Sequence, residues 1–520
     1  MSVVGIILIA QVIMSLAQMS MDYIRSLLLL HINVRIGIAI ISDFLQKLMQ
    51  IPIRFFDAKS QSDVLQRIND HSIIEDFLTD HLINGVFSMV TFVIFTCALG
   101  IYNMEYLAIF MSLTILSIAW TWSYNKKRRK LNFLKFQRNR DTKESVIEIL
   151  NGMEEIKLNN NELQRRWAWE NSQAKLFNLN LMDLHYQQTQ KSGEFIMTLA
   201  KNAIITYLVA NDVINGLISL GGMMSITYII GVLGTPIEQV NYLVKNWQDA
   251  KLSMERLTEL QHVDDEQIEG KKYLPIEDFS IHVDDLSFSY NGSVERAQLK
   301  HLNITVNTGE TVAIVGPSGC GKTTLMKLLL GYYKPTQGKI LIGDKDMNEV
   351  SLSQWRNYVG CVLQSGYIFS DTVKGNIIMG NEMNDDLLKK ALEISNCEEF
   401  ISALPFGIDT KIGMSGLNLS SGQKQRIMIA RAIYKNPKVL MFDEATSALD
   451  SKNESDISSK LYDFVGGRTT VIIAHRLSTV KRADMIYVMN KGRIVERGRH
   501  EELLSQKGFY YELVQSQLVG

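Results

Sequence analysis

The sequence predicts a multidomain chain: an all-α polytopic membrane half, then an α/β half built on a strand–loop–helix unit suited to phosphate. Three observations predict this. Long apolar stretches are confined to the first 234 residues, and short β-rich runs alternating with helical patterns begin at Ile281. Between a strand-like TVAIV and a helix-like LMKLLL stands the glycine-rich segment GPSGCGKTT (316–324).

A chain of 520 residues has room for two or three domains. Its formal net charge of -1 carries no basic excess, so no nucleic-acid partner is expected. Cys97, Cys320, Cys361 and Cys397 form neither a close pair nor a zinc spacing, as suits reduced thiols in a cytosol-facing protein. The opening MSVVGIILIA lacks a basic region and a small-residue cleavage site, so no cleavable signal peptide is expected.

A helix needs about 20 apolar residues to cross a hydrocarbon core about 30 Å thick. Five stretches approach that length: 3–21, 82–101, 106–124, 195–210 and 213–234. The run NKKRRK (125–130) beside the third span marks a cytoplasmic side. Counting from it, 22–81 and 125–194 are cytoplasmic, while 102–105 and 211–216 are short external turns. The cytoplasmic segments are too long for connectors and are read as pairs of helical legs. Their turns fall near 52–63 and 158–163. Asp22 and Arg25, three apart on one helix face, are expected to pair. Lys201, within a span, is read either as half of a buried pair or as a residue of a cargo cavity.

These readings divide the chain into a transmembrane domain over 1–255, a linker over 256–280 and an ATP-binding domain over 281–520. In the last, G-x-x-x-x-G-K-[ST] occurs in the strand–loop–helix setting its chemistry requires. Gly316, Gly319 and Gly321 let backbone N–H groups approach phosphate oxygens, and the following helix start adds its positive dipole end. Pro317, Ser318, Cys320 and Thr324 complete the loop. Lys322 supplies a point charge to the β/γ-phosphates and Thr323 a hydroxyl to Mg²⁺. Downstream, VLMFDE (439–444) is an apolar strand ending in two carboxylates. Asp443 suits a Mg²⁺-facing role and Glu444 that of general base toward the attacking water. Strand TTVIIAHR (469–476) ends in His475, for which the strand alone leaves a phosphate contact or a structural role open.

The ordered set GPSGCGKTT, VLQSGYIF (362–369), LSSGQKQR (419–426), VLMFDEATSALD (439–450) and IIAHR (472–476) resembles an ATP-binding cassette domain. The whole chain is similar to an ABC exporter half-transporter. The resemblance implies that Tyr290 stacks on adenine and that Gln364 joins the Mg²⁺ site to the membrane domain. It further makes His475 the switch histidine and puts Asp450 at a dimer seam. It also implies that Ser420, Ser421, Gly422 and Gln423 clamp the γ-phosphate of ATP held by the Lys322 loop of a second copy. Two chains then sandwich two nucleotides as a homodimer in the lipid bilayer.

The legs look like those of bacterial peptidase-containing bacteriocin and peptide exporters. That resemblance implies a peptide cargo, a bacterial inner-membrane location and a membrane-fusion partner. The alternative cargo is a lipid or amphipathic drug, and a nucleotide-gated regulatory protein is a further alternative. Those relatives carry a cysteine-peptidase domain and six spans; neither the peptidase nor the first span is read here. Two positions depart from the family pattern: Ser421 replaces a glycine of the signature, and Met414 replaces a common glutamate. Cys320, at a variable loop position, is weighed between redox control and plain packing, and packing is favoured.

Overall fold

The computed structural model describes residues 3–59, 61–266, 275–293, 296–364, 366–445, 451–474 and 480–519. By packing, the chain divides into two compact units: Met1–Ile51 with Phe55–Asp265, and Pro52–Arg54 with Glu266–Gly520.

The first unit is helical: α1 (Val3–Gln50), α2 (Ile53–Ala58), α3 (Gln61–Asp76), α4 (Leu82–Tyr102), α5 (Met104–Ser123), α6 (Asn125–Asn151), α7 (Met153–Leu158), α8 (Glu162–Ile214) and α9 (Leu220–Gln261). The short helix α2 falls within the turn expected near 52–63, while α7 ends at Leu158, where the turn expected near 158–163 begins, and α8 resumes at Glu162. The external turn expected at 102–105 is present and has a local cause. Asn103 is extended at φ -162° and its side chain accepts from Glu105 N–H at 2.7 Å, starting α5.

The next external turn differs from expectation. Helix α8 runs on to Ile214 and α9 begins at Leu220, so the turn occupies 215–219 and the stretch 213–234 is not one span. Turn chemistry outweighs hydropathy here. Gly216 takes φ +75°, and Ser219 caps α9 by accepting from Gly222 N–H at 3.1 Å. At its other end α9 continues through Gln261, into the stretch read as linker.

Among the described residues, four helical stretches are long and apolar enough to cross a membrane: Leu8–Gln50, Ser62–Tyr102, Met104–Asn151 and Leu220–Gln261. The expected span 195–210 falls within α8, which is not among them. Leu99, Tyr106, Phe110, Ile205, Ile226 and Leu233 form the buried core of this half. Outside it, Leu16, Met19 and Leu28 of α1 stay exposed, a pattern that costs nothing when lipid is the solvent. The legs are tied by polar contacts. Arg256 meets the buried Asp70 at 2.8 Å, Lys135 meets Asp183 at 2.8 Å, and Asn132 donates to Asp249 at 2.5 Å. Asp22 and Arg25 pair as expected, at 3.1 Å.

The second unit contains strands β1 (Ile281–Phe288), β2 (Leu299–Val306), β3 (Thr311–Val315), β4 (Gln337–Ile342), β5 (Lys345–Asp346), β6 (Val359–Val362), β7 (Asp371–Thr372), β8 (Lys411–Ile412), β9 (Val439–Asp443), β10 (Thr469–Ile473), β11 (Met485–Asn490) and β12 (Arg493–Gly498). The main sheet has the order β12-β11-β3-β10-β9-β6. Its neighbours pair in parallel except β12, which runs against β11. A four-stranded antiparallel sheet, β2-β1-β4-β5, packs with it around Leu286, Leu302, Leu325 and Trp355. Every residue of β3, β9 and β10 is buried, the reason these strands read as unbroken apolar runs.

Candidate functional site

In an open parallel sheet, ligand groups gather beyond the carboxyl ends of the strands. The glycine-rich loop follows β3, Asp443 ends β9, and Gln364 lies just past β6. The register puts Ile473 of β10 level with both Ile314 and Asp443, so loop and carboxylate flank β10 on one edge. Two strand spacings separate them, about 10 Å.

The loop is shaped by close approach. A Cβ on Gly316 would lie 2.2 Å from the Met489 carbonyl oxygen, so only hydrogen fits there. Gly321 takes φ +110° as the residue before the helix Lys322–Leu329. Lys322 is 6 % exposed and folds back over its own loop, donating to the carbonyls of Gly316 at 2.8 Å and Pro317 at 3.1 Å. Ser318, Gly319 and Thr323 form the exposed rim. Cys320 is buried among the core side chains, and burial pushes its thiol up from the usual range. That environment fits the packing role.

Tyr290 stands beside this loop, its hydroxyl 3.2 Å from Thr324 Oγ1. Phe288 and Tyr333 meet its ring edge-on, with centroids 5.0 and 5.2 Å away. They prop an aromatic surface that remains partly open.

At the end of β9, Asp443 is 1 % exposed. Glu444 takes a left-handed φ of +51°, which turns the chain sharply at that point. Its Oε2 accepts from Gln364 Nε2 at 3.0 Å, and its backbone carbonyl accepts from Gln425 Nε2 at 2.9 Å. Gln425 is 5 % exposed and lies on the helix Ser421–Tyr434. Sequence reading passed over Gln425, whose contact is tertiary and leaves no spacing signal.

The helix Ser421–Tyr434 opens with a reciprocal cap. Ser420 Oγ accepts from Gln423 N–H at 3.2 Å, and Gln423 Oε1 accepts from Ser420 N–H at 3.0 Å. Gln423 thereby serves its own helix start. Ser420 and Ser421 are exposed, and the Ser420 hydroxyl keeps its proton available for donation. His475 and Asp450 lie outside the described residues.

The donor set is a backbone cradle, an ammonium, a hydroxyl rim and adjacent carboxylates at a sheet edge, joined to a helical membrane unit. It defines a membrane protein with a nucleotide-phosphate site. The comparisons sharpen that class. Residues 2–237 match the ABC transporter transmembrane region and residues 299–447 the ABC transporter family. The exotoxin translocation ATP-binding protein PaxB of Pasteurella aerogenes is 31 % identical over 520 residues, covering 100 % of this chain and 73 % of that protein. The transport/processing ATP-binding protein ComA of Streptococcus pneumoniae serotype 4 is 31 % identical over 523 residues, covering 99 % and 72 %. A solved bacterial Atm1-family ABC exporter with ATP bound superposes at TM-score 0.94 with 25 % identity, covering 99 % of this chain and 92 % of that one. The chain belongs to the ABC transporter family, as a multi-pass exporter that binds and hydrolyses ATP.

Proposed function

We propose that two copies of this chain form an ATP-driven exporter of peptide or polypeptide cargo, with each ATP held between them. The supporting observation is the exposed, capped helix start at Ser420 in a chain that carries one glycine-rich loop. Each chain has two phosphate-recognising helix starts, and pairing head to tail brings one of each to every nucleotide.

In this reading Tyr290 stacks on the adenine, and the loop N–H groups with Lys322 hold the β- and γ-phosphates. Glu444 takes the proton of the attacking water. Gln364 orients its carboxylate, and Gln425 holds the backbone that carries it. Thr323, Asp443 and Gln364 offer only oxygen ligands to a metal. That set suits Mg²⁺, which keeps waters and substrate phosphates in its shell and, when bound, offsets phosphate charge. Ser420 donates its hydroxyl proton to the γ-phosphate of the other copy, with Gly422 leaving room for the approach. His475 and Asp450 are assigned to the γ-phosphate and the dimer seam on motif alone. ATP favours the closed pair over the open one, and that difference drives the membrane halves outward. The names of the toxin-translocating and transport/processing relatives support a peptide or polypeptide cargo. Together with the basic run at 125–130, they support a bacterial inner-membrane location with the ATP-binding domain cytoplasmic.

Mixed dimers test the pairing. Lys322→Ala and Ser420→Arg chains are each expected to be inactive alone. Co-expressed, random pairing gives half mixed dimers with one intact site each, so about a quarter of wild-type ATPase activity returns. No recovery on mixing would place both groups in one chain's own site and refute the pairing.

A further inference from the structure

The membrane unit contains a cavity of about 340 Å³ between the start of α6, the middle of α8 and the middle of α9. Three cations line it, Arg128, Lys191 and Lys201, with two carboxylates, Glu194 and Glu238. Lys201 and Arg128 are each 4 % exposed. The Lys201 ammonium lies 3.5 Å from Thr114 Oγ1 and 4.3 Å from the centre of the Phe110 ring. Neither contact supplies a countercharge. Of the two readings of Lys201, the buried pair is therefore absent among the described residues. Arg128 belongs to the run read as a cytoplasmic marker, yet it is buried, and its Nε has no hydrogen-bond partner among the described residues. Glu194 is engaged in an interaction of its own, and Glu238 is exposed.

Arg128 acts on the carboxylate of Asp183, which is itself bonded to Lys135 at 2.8 Å. Lys201 meets no carboxylate among the described residues, and a desolvated ammonium of that kind is costly unless an anion joins it. We infer that this cavity binds a carboxylate of the exported chain, with Lys201 as its counter-ion. Gln187, whose amide nitrogen already donates to Asp183 at 3.1 Å, and Gln190 also line the cavity and offer amide oxygens, with the Gln190 amide nitrogen, suited to a peptide backbone. A lipid phosphate would be met by the same ammonium. The amides and the modest volume favour a peptide segment over a headgroup trailing two acyl chains. The inference rests on the peptide-export reading above and specifies which part of the cargo is recognised.

The test uses the full chain in phosphatidylcholine nanodiscs without nucleotide. The probes are a benzophenone-labelled hexa-alanine peptide ending in a free carboxylate and its carboxamide counterpart, with crosslinking read against concentration. The acid is expected to bind about tenfold tighter, a difference of about 1.4 kcal/mol. Lys201→Gln should abolish that preference and Lys201→Arg should retain it. Equal or undetectable binding of the two peptides, or a preference that survives Lys201→Gln, would overturn the inference. So would displacement of the acid peptide by added phosphatidylglycerol, which would assign the site to lipid phosphate. Failure here leaves the mixed-dimer result standing. Failure of the mixed-dimer test with the acid preference intact removes the pairing and keeps the cavity assignment.

Discussion

Gln425→Leu separates positioning of the general base from stability of the fold. The substitution keeps a side chain of similar size but removes the 2.9 Å bond to the Glu444 carbonyl. One such bond contributes about 1 kcal/mol net. For a unit of this size that lowers Tm by roughly 2–4 °C. The effect on turnover is expected to be larger. Glu444 sits in a left-handed conformation at φ +51°, and the Gln425 bond helps hold it there. A displacement of about 1 Å in a group that must meet an attacking water costs about 10²-fold. Steady-state ATPase assays should show kcat falling on that order with KM for ATP nearly unchanged, since Tyr290 and the Lys322 loop are untouched. Scanning calorimetry should show only the small shift in Tm. A matching loss of stability with kcat intact would mean that Gln425 merely packs, and the reasoning would fail. A rise in KM alone would place its effect on binding and also refute it.

Three further outcomes are expected. Glu444→Gln should retain ATP binding, measured with a fluorescent analogue, while kcat falls by about 10²–10⁴-fold; full steady-state turnover would remove the residue from the proton-transfer step. Gly316→Ala puts a methyl 2.2 Å from the Met489 carbonyl oxygen and should destabilise by about 1–3 kcal/mol, read as a lower Tm; an unchanged Tm would show that the loop yields. Burial pushes the thiols of Cys361 and Cys397 up to about 12. The unfolded chain releases those protons near pH 9 while the folded chain keeps them, so stability is full below pH 9 and falls as pH rises toward 12. Replacing both by Ala should flatten that decline in a pH series of melts, and an unaltered slope would assign it to other groups.

The parts most readable from sequence were those where backbone chemistry dictates residue type. A phosphate loop needs glycine where Met489 crowds Gly316, and a buried parallel strand needs the unbroken run of β9. The capped start at Ser420 was legible as a turn opening a helix, although the reciprocal use of Gln423 was not foreseen. Membrane boundaries were less legible, because hydropathy carries no information about the local bonds that end a helix. Gly216 and Ser219 shifted a turn that composition alone had put earlier. Arg128 was hidden by its neighbours, since a run of five basic residues signals orientation and not which of them turns inward. Lys201 was visible as an oddity, but its lack of a countercharge among the described residues could be seen only in three dimensions.

Helices α8 and α9, which both line the cavity, differ in one respect that shapes its wall. Helix α8 is 53 residues without a proline, about 80 Å long. Its neighbour α9 carries Pro236, which lacks the N–H that would bond the Val232 carbonyl and so builds in a joint. That joint lies between Gly234 and Ile237, two residues of the cavity wall. An unbroken helix on one side and a proline-interrupted one on the other thus wall the cavity at the depth of Lys201.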